Sequence, residues 1–381
     1  MSSSRILTLA RRVIQQFSTD HRTIALIIVV PLVVLTMAGI LLRTDSSMVT
    51  IGMVLQDKGS TIPIVNKQIN LGQSMTENLG EISSNIVIKT LSADEAEQQL
   101  EQGNLDAIVT LPEDFSQTSI AARKLNIPVK FEGSNPMAAK MTEAAITRAS
   151  IQALASLSGI SAQTIPPITI QSTYRYGNAN FDALDYVAPV FIGLFVFLFV
   201  FILTSVAFLR ERSAGTLERL QATPIRRIEI VLGYMVGFAV FALFQSLIIL
   251  GFTIFGLKVH YTGSLFVVFV VEVLLALMAV NLGIFFSTFA RNEFQVVQFI
   301  PLVVVTQILL SGAFWPVESM PGWLQPIAWL MPLTHANRAL RDVMIKGFDF
   351  GQIWPYVLSL SLFAVSFVIL SSLTLKQKGN R

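Results

Sequence analysis

The chain has 381 residues, of which 53% are hydrophobic, only 13% are charged and none is cysteine. Because soluble globular domains carry about 25% charged residues, much of this protein's surface must face something other than water. The formal net charge of +3 gives no reason to expect a nucleic-acid partner. A chain without cysteine has no disulfides, thiolate metal sites or cysteine nucleophiles. The histidines at positions 21, 260 and 335 lie far apart, so no metal site is predicted.

The first 42 residues predict a surface helix that leads into a membrane span. Ile6, Leu9, Val13 and Phe17 fall on one helical face, beside a polar face that carries arginines. Residues 1–22 are therefore expected to form an amphipathic interfacial helix on the cytoplasmic side. Residues 23–42 are apolar over the length of about 20 residues that a span needs. The polar leader and the apolar run are both long for a signal peptide, which favours an uncleaved first span.

Residues 43–184 have the composition of a water-soluble domain. β-Rich stretches predict strands at 50–55, 85–91, 107–111, 128–132 and 168–174. Ser92 and Glu95 form a capping-box pattern that opens a helix ending near Gly103, and a second helix is predicted at 137–157. This order predicts a compact mixed α/β or α+β domain. It contains no cluster of acid, base or nucleophile, so binding or shielding is favoured over catalysis.

Five more apolar runs predict membrane spans at residues 185–209, 230–257, 264–290, 296–314 and 352–375. Between and after them lie a polar link at 210–229, a tight turn at 291–293, a segment at 315–351 and a tail at 376–381. Lysine and arginine concentrate on the side of the N-terminus, the link and the tail, which marks that side as cytoplasmic. The predicted fold class is an α-helical polytopic membrane protein with six transmembrane helices, both termini cytoplasmic and an inserted α/β-type extracytoplasmic domain. The expected location is a bacterial plasma or inner membrane.

No pattern in the chain predicts an enzyme. The phosphate-binding sequence G-x-x-x-x-G-K-[ST] does not occur, no catalytic residue is predicted, and the chain itself is expected to bind no cofactor. Any dependence on ATP must then come from a partner.

The link at 210–229 predicts a short charged helix. From Glu211 to Ala222, Leu217 and Leu220 fall on one side, and the charged residues at 211, 212, 218 and 219 are expected to be exposed. Pro224 ends the helix, because the residue before a proline resists the α conformation. As a pattern alone, a solvated loop is an equally good interpretation.

The link also resembles the coupling helix of the ABC-2 type permeases, in which a stretch of the form E-R-x-x-G-T-L-E-x-L follows the second span. The matching residues here are Glu211, Arg212, Gly215, Thr216, Leu217, Glu218 and Leu220. The resemblance implies that the link docks into a cleft of a separate ABC ATPase subunit, which binds ATP and magnesium. Docking of this kind needs an apolar ridge and flanking charges.

The 315–351 segment resembles the two short re-entrant helices that lie between the fifth and sixth spans in the same family. The residues that carry this resemblance are Trp315, Pro316, Pro321, Trp323, Pro332, Thr334 and Arg338. Prolines break the segment into pieces too short to span, and tryptophan is typical of a membrane interface. Thr334 is predicted as the N-cap, and Gly347 as the C′ residue, of the last piece. An ordinary outer loop is the alternative.

Glu272 lies about two turns into the fourth predicted span, where an ionisable group is costly unless it is paired or faces a wet cavity. It either lines the translocation path or is a hydrogen-bonded structural residue. Gly233 and Gly237 form a common pattern that allows close helix approach. Helix–helix hydrogen bonds, worth about 0.6 kcal/mol each, are predicted for four amides: Gln245, Asn281, Gln298 and Gln307.

The resemblance implies the permease subunit of an ABC exporter, for efflux of an amphipathic or lipophilic substrate such as a drug or a lipid. Two copies, or one copy and a paralogue, would pair in the lipid bilayer above two ATPase subunits, and the outer domain could contact an envelope adaptor protein. Two other functions stay open. An ion-coupled secondary transporter would favour several midplane charges and inverted repeats. A membrane-anchored receptor or scaffold would act through its outer domain.

Overall fold

The computed structural model of the protein describes residues 2–41, 49–62, 67–82, 86–122, 124–158, 167–290 and 292–375. The chain forms two compact units. The helical unit comprises Met1–Leu41 and Val187–Arg381, and the inserted unit comprises Leu42–Tyr186. Arg291 in the predicted tight turn and the predicted tail at 376–381 lie outside the described residues.

Two helices open the chain, α1 (Ser3–Ser18) and α2 (His21–Leu41). The carboxylate of Asp20, which separates them, accepts hydrogen bonds from the hydroxyl and the amide N of Thr23, at 2.6 and 3.2 Å. These two bonds lower the pKa of Asp20 below its ordinary value. Because they satisfy a donor in the first turn of α2, the helix begins ahead of the predicted start at residue 23.

The inserted unit is a mixed α/β fold. Its strands are β1 (Val49–Leu55), β2 (Ser60–Ile62), β3 (Lys67–Ile69), β4 (Ile86–Thr90), β5 (Ala107–Leu111), β6 (Leu125–Phe131) and β7 (Ile168–Tyr174). Its helices are α3 (Leu71–Ile82), α4 (Ala93–Glu101), α5 (Phe115–Ala122) and α6 (Pro136–Ser158). β5 and β7 have the predicted bounds, whereas β2, β3, α3 and α5 were not predicted from the sequence.

A five-stranded sheet with the order β4-β1-β5-β6-β7 forms the centre of the inserted unit. β1 pairs in parallel with β4 and β5, β6 pairs in parallel with β7, and β5 and β6 are antiparallel. Ile51 and Ile127 belong to a core that includes side chains of α3 and α6. Leu100 of α4 packs with Ile108 in a second cluster, on the opposite face because side chains alternate along a strand. The Ser92–Glu95 capping box of α4 is present as predicted.

The rest of the helical unit follows the inserted unit in the sequence. Its elements are α7 (Ala183–Ser213), α8 (Thr216–Gln221), α9 (Arg227–Gly251), α10 (Leu265–Ser287), α11 (Glu293–Ile300), α12 (Thr306–Leu310), α13 (Gln325–Trp329), α14 (Pro332–Met344) and α15 (Phe350–Thr374). Single π turns extend α9 over Phe252–Gly256 and join α11 to α12 over Pro301–Val305, and a 3₁₀ turn occupies Val317–Ser319.

Among the described residues, five helices are long and apolar enough to cross a membrane: α2, α7, α9 with its π turn, α10 and α15. The predicted span at 296–314 corresponds to a shorter apolar run, Phe294–Leu310, which the π turn at Pro301 interrupts. Proline lacks the amide proton that the preceding turn would accept, which accounts for the irregularity at this point. The prediction of a polytopic helical membrane protein is confirmed, and the span at 296–314 stays a prediction.

α1 packs closely along α9. Leu9, Ala10 and Val13 are buried. A methyl group added to Gly233 would lie 2.7 Å from Leu9 Cδ2, and one added to Gly237 would lie 2.7 Å from Val13 Cβ. Both distances are far below carbon–carbon contact, so the two glycines permit the close approach that their spacing predicted. Part of the apolar stripe of α1 therefore faces protein instead of lipid.

Candidate functional site

The link at 210–229 is not one helix. α7 continues through Ser213, the backbone turns at Gly215 with φ 69°, and the short helix α8 follows. A positive φ is the region that favours glycine, so the break sits at the residue that adopts it without strain. The predicted single helix from Glu211 to Ala222 is therefore wrong, because Gly215 divides it.

Glu211 was predicted to be exposed, and this is also wrong. Its side chain is buried at 5% exposure. The carboxylate accepts one hydrogen bond from the Arg12 guanidinium at 2.8 Å and another from the Tyr234 hydroxyl at 2.9 Å. Because Arg12 lies on α1 and Tyr234 on α9, this single carboxylate holds the end of α7 to two other helices.

Arg212 connects the same end of α7 to α10. Its guanidinium donates hydrogen bonds to the carbonyl oxygens of Ser287 and Thr288, at 3.1 and 2.6 Å. These carbonyls belong to the C-terminal end of α10, where helical carbonyls lack partners in their own helix and the helix dipole favours a cation. Arg212 is thus a cap for α10, whereas the sequence predicted it as an exposed charge of the docking motif.

Glu229 holds the other end of the link. Its carboxylate accepts hydrogen bonds from the amide N of Ser2 at 2.7 Å and of Arg226 at 2.9 Å. Arg5 of α1 lies 3.6 Å from the same carboxylate and also donates a hydrogen bond to the carbonyl of Pro224. α1 therefore holds both ends of the link, through Arg12 at one end and through Arg5 at the other.

The exposed surface of α8 is polar. Leu217 is buried within the chain at 3% exposure, and Leu220 is half-buried. Glu218, Arg219, Ala222 and Thr223 are exposed, and Thr216 is half-buried. The predicted apolar docking ridge of Leu217 and Leu220 is therefore not free, because Leu217 already packs inside the protein.

Sequence reasoning missed Arg5, Arg12 and Tyr234 as partners of the link, and it missed Glu229 as the residue that holds the end of the link to α1. The Arg12–Glu211 contact joins positions 199 residues apart, and no local pattern carries such a pairing. One signal was available, since the arginines of α1 fall beside an apolar stripe that needs a protein or lipid surface to cover it.

The 315–351 segment contains the 3₁₀ turn, α13 and α14. Pro316 and Pro321 lie on either side of the 3₁₀ turn, Trp315 and Trp323 are exposed, and Pro332 is the first residue of α14. The predicted N-cap role of Thr334 is wrong, because Met331 takes the N-cap position. The Thr334 hydroxyl donates instead to the carbonyl of Ala328, at 2.7 Å, and ties α14 to α13.

Arg338 of α14 ties this segment together. It forms an ion pair with Glu318, and its guanidinium lies 4.3 Å from the centroid of the Trp329 ring. Burial alone would raise the pKa of Glu318, but the hydrogen bond from Arg338 and its positive charge bring that pKa below the ordinary value. Gly347 has a φ of 72° near the end of α14, the left-handed conformation expected there.

Glu272 is fully buried on α10. The polar side chain that faces its carboxyl group is Ser246 of α9. The two roles considered for Glu272, a structural residue and a residue of the translocation path, both stay predictions.

The four amides behave differently from one another. Gln245 donates to the carbonyl of Phe195 at 3.2 Å, and Gln307 accepts from the amide N of Leu333 at 3.2 Å, so both join helices as predicted. Asn281 donates to the carbonyl of Leu277 in its own helix at 2.8 Å and to the Met235 sulfur of α9 at 3.3 Å, so it too joins two helices. Gln298 is exposed. Within the described ranges, no group of three or more metal-binding side chains occurs.

A known family and several known proteins resemble this chain over most of its length. A family model described as an ABC-2 family transporter protein matches residues 21–373. The probable multidrug ABC transporter permease YbhS of Escherichia coli (strain K12) is 24% identical over 383 residues, which covers 99% of this chain and 98% of that protein. The inner membrane transport permease YhhJ of Escherichia coli (strain K12) is 27% identical over 295 residues, 75% of this chain and 77% of that protein.

A longer protein matches part of the chain. ABC transporter G family member 20 of Dictyostelium discoideum is 31% identical over 217 residues, 56% of this chain, but the match spans only 30% of that protein. The family match covers both the link and the 315–351 segment, the two stretches on which the resemblance rested. The roles of their individual residues stay predictions. The chain itself belongs to the ABC-2 family of transporter proteins.

Proposed function

We propose that this chain is the permease subunit of an ABC exporter that moves an amphipathic or lipophilic substrate, such as a drug or a lipid, with energy from a separate ATPase subunit. It works in a bacterial inner membrane as a pair, with a second copy or a paralogue. The chain crosses the bilayer six times, with the Phe294–Leu310 run as the fifth span, both termini cytoplasmic and the inserted unit outside. The family match and the permeases among the relatives support this proposal.

One observation carries the proposal: the link is held at both ends by charged side chains. Glu211 is bound to α1 and α9, Arg212 to α10, and Glu229 to α1. Between these points α8 exposes Glu218 and Arg219. A segment that is fixed at its ends and exposed in its middle suits a lever on which another protein pushes.

Movement of α8 would then reach several membrane helices together. A load on α8 passes through Gly215 to α7, through Glu211 to α9, and through Arg212 to α10. ATP-driven closure of the partner subunits would shift the balance between inward-open and outward-open states of the permease pair. Interfaces between packed helices suit this role, because they switch between discrete arrangements rather than deforming smoothly.

The remaining predicted residues take supporting roles in this proposal. The 315–351 segment, with Trp315, Trp323 and Arg338, closes the outer end of the path as a pair of re-entrant helices. Glu272 lines the translocation path. The inserted unit shields the outer opening or contacts an envelope adaptor protein. ATP and magnesium are bound by the partner ATPase.

The test is recovery of a P-loop ATPase with the tagged full-length chain from membranes of its host. Glu218→Arg reverses an exposed charge of α8, and we expect the recovered ATPase to fall roughly tenfold, because charge complementarity orients docked partners. Glu113→Arg is the control, since Glu113 is also exposed but lies on the inserted unit. Undiminished recovery with Glu218→Arg and with Arg219→Glu would contradict docking through α8. Transport that follows an ion gradient without any ATPase would contradict the function itself.

A further inference from the structure

The surface of the helical unit beside the link carries an excess of positive charge. The segments 2–22 and 210–229 contain arginine but no lysine. The carboxylates of Glu211 and Glu229 are buried and already paired, which leaves Glu218 as the exposed carboxylate of these two segments. Guanidinium groups bind phosphate in a two-pronged geometry that an ammonium group cannot match. A surface rich in arginine alone therefore suits a phosphate-bearing partner.

α1 has little free apolar surface with which to bind a membrane. Leu9 and Val13 of its apolar stripe pack against the glycines of α9, and Leu7 is the one large apolar side chain that α1 exposes. A helix at a membrane surface is held by its buried apolar area and by attraction to anionic lipids. Because α9 covers most of the apolar area, attraction to anionic lipids is the contribution that remains for α1.

Two exposed arginines, Arg22 and Arg210, lie near Asp20 in the turn between α1 and α2. Both add, through their positive charge, to the lowering of the Asp20 pKa that the hydrogen bonds from Thr23 produce first. Two cations thus lie near one carboxylate, and a positive charge is left over at this point.

This charge lies at the edge of the apolar part of the chain. Arg22 is the second residue of α2, a helix apolar enough to cross a membrane, and Arg210 lies in the last turn of α7. Phe17, Ile24 and Leu203 line a common groove, so the end of α1, the start of α2 and α7 meet here. The level at which apolar residues give way to arginine is that of phospholipid headgroups. Anionic lipids at this level favour each arginine by about fivefold in affinity.

We propose that Arg22 and Arg210 bind the phosphate group of an anionic phospholipid in the leaflet beside the link, and that this lipid holds α1 at the membrane surface. α1 in turn holds both ends of the link, through Arg5 and Arg12. The lipid therefore sets the position of α8 against the ATPase. The last step rests on the proposed function, whereas the binding of the lipid does not.

The test compares two lipids with the same acyl chains, anionic dioleoylphosphatidylglycerol and zwitterionic dioleoylphosphatidylcholine. Each lipid is titrated into the detergent-solubilised full-length chain, and native mass spectrometry counts the bound molecules. We expect the unsubstituted chain to prefer the anionic lipid severalfold. Arg22→Gln and Arg210→Gln should each weaken its binding about fivefold and leave binding of the zwitterionic lipid unchanged. Arg148→Gln is the control, since Arg148 is exposed on the inserted unit.

Equal affinities of the unsubstituted chain for the two lipids would overturn the inference, and this comparison does not depend on the folding of a variant. A double variant, Arg22→Gln with Arg210→Gln, that keeps the preference for the anionic lipid would also overturn it. If this double variant recovers less ATPase from membranes but binds both lipids as the original chain does, the two arginines contact the ATPase and not a lipid.

The effect on the link is measured as ATP hydrolysis by the complex in nanodiscs. Nanodiscs of equal parts of the two lipids should support faster hydrolysis than nanodiscs of the zwitterionic lipid alone, and the double variant should lose this difference. Equal hydrolysis by the original complex in both compositions would overturn the effect on the link. A chain that prefers the anionic lipid but recovers no ATPase would contradict the proposed function and leave the lipid site standing.

Discussion

Glu211 is the residue on which three helices of the helical unit converge. Its carboxylate accepts from Arg12 on α1 and from Tyr234 on α9, while the residue itself belongs to α7. The Arg12 side chain is 39% exposed and the Glu211 side chain 5%, so the pair is screened by solvent on one side only. Removing Arg12 should destabilise the protein by more than the net contribution of the ion pair to stability, because the buried Glu211 carboxylate is then left without a counter-charge.

Exchanging the charges of Arg12 and Glu211 separates the electrostatic contribution of this ion pair to stability from the contribution of side-chain packing. Arg12→Glu places two carboxylates together and should lower the free energy of unfolding by about 1–3 kcal/mol, with exposure of Arg12 limiting the loss. The double variant Arg12→Glu with Glu211→Arg should recover part of it. Thermal unfolding in detergent gives the measurement, and Arg11→Glu is the control, since Arg11 is an exposed neighbour on the same helix. A double variant no more stable than the single one would show that the charges are not paired as described.

Individual residues were predictable where family pattern and backbone chemistry coincide. Gly215 was identified from its place in the motif, and its positive φ gives that glycine a physical reason. Burial of Leu217 was beyond prediction, because a helical wheel shows which residues share a side but not what covers that side. Thr334 shows the same limit. A threonine near a helix start favours an N-cap, but Pro332, two residues earlier, is already the first residue of the helix.

The packing of α1 on α9 shows which helix the Gly-x-x-x-Gly pattern of α9 contacts. Gly-x-x-x-Gly is frequent in membrane helices, and alone it does not identify a partner. Here the partner is α1, whose Leu9 and Val13 fill the space that a side chain at Gly233 or Gly237 would occupy. The apolar stripe of α1 was predicted correctly from its period. Its contact with α9 was not, because the stripe fits a lipid surface equally well.

Two glycines of α9 provide a matched test of this packing. A Cβ at Gly233 would lie 2.9 Å from the Cβ of Leu9, which cannot rotate away, whereas a Cβ at Gly251 would meet nothing within 4 Å. Gly233→Ala should therefore destabilise the chain by about 1–3 kcal/mol through overpacking. Gly251→Ala should be neutral or stabilising by about 0.5–1 kcal/mol, as expected for alanine in a helix interior.

Thermal unfolding of the two variants side by side gives the comparison, because each adds one methyl group to the same helix. Combining Gly233→Ala with Leu9→Ala should cost less than the sum of the two single changes, because it removes the Cγ and Cδ2 atoms of Leu9 that clash along with its Cβ. Equal effects of Gly233→Ala and Gly251→Ala would mean that α1 does not pack on α9 in solution.

At the scale of the whole molecule, composition predicted the division into two units better than it predicted their internal order. The inserted unit stands out because its charge and turn residues contrast with long apolar runs on both sides. The strand order β4-β1-β5-β6-β7 was not predictable, because its pairings join distant stretches of chain, such as Leu125 with Ile168. The span predicted at 296–314 differs from the structure for another reason, because a π turn at Pro301 interrupts its apolar run.

The number of spans decides on which side of the membrane each part of the chain lies. The Phe294–Leu310 run has 17 helical positions at most, about 26 Å at 1.5 Å per residue, against a hydrocarbon core of about 30 Å. A shortfall of this size is accommodated by local thinning of the bilayer at modest cost. We therefore expect the run to cross, which places Asn292 and Gly322 on opposite sides.

Single cysteines report these sides directly, because the natural chain contains no cysteine and each variant carries only one thiol. The exposed positions Glu113, Ala222, Asn292 and Gly322 are changed one at a time and treated with a membrane-impermeant maleimide in intact spheroplasts. We expect labelling at 113 and 322 from outside, and at 222 and 292 only after the membrane is opened. Labelling of 292 and 322 from the same side would leave five spans. Labelling of 113 only from inside would reverse the orientation, which would place the link and its exposed Glu218 on the side of the membrane that holds no ATP.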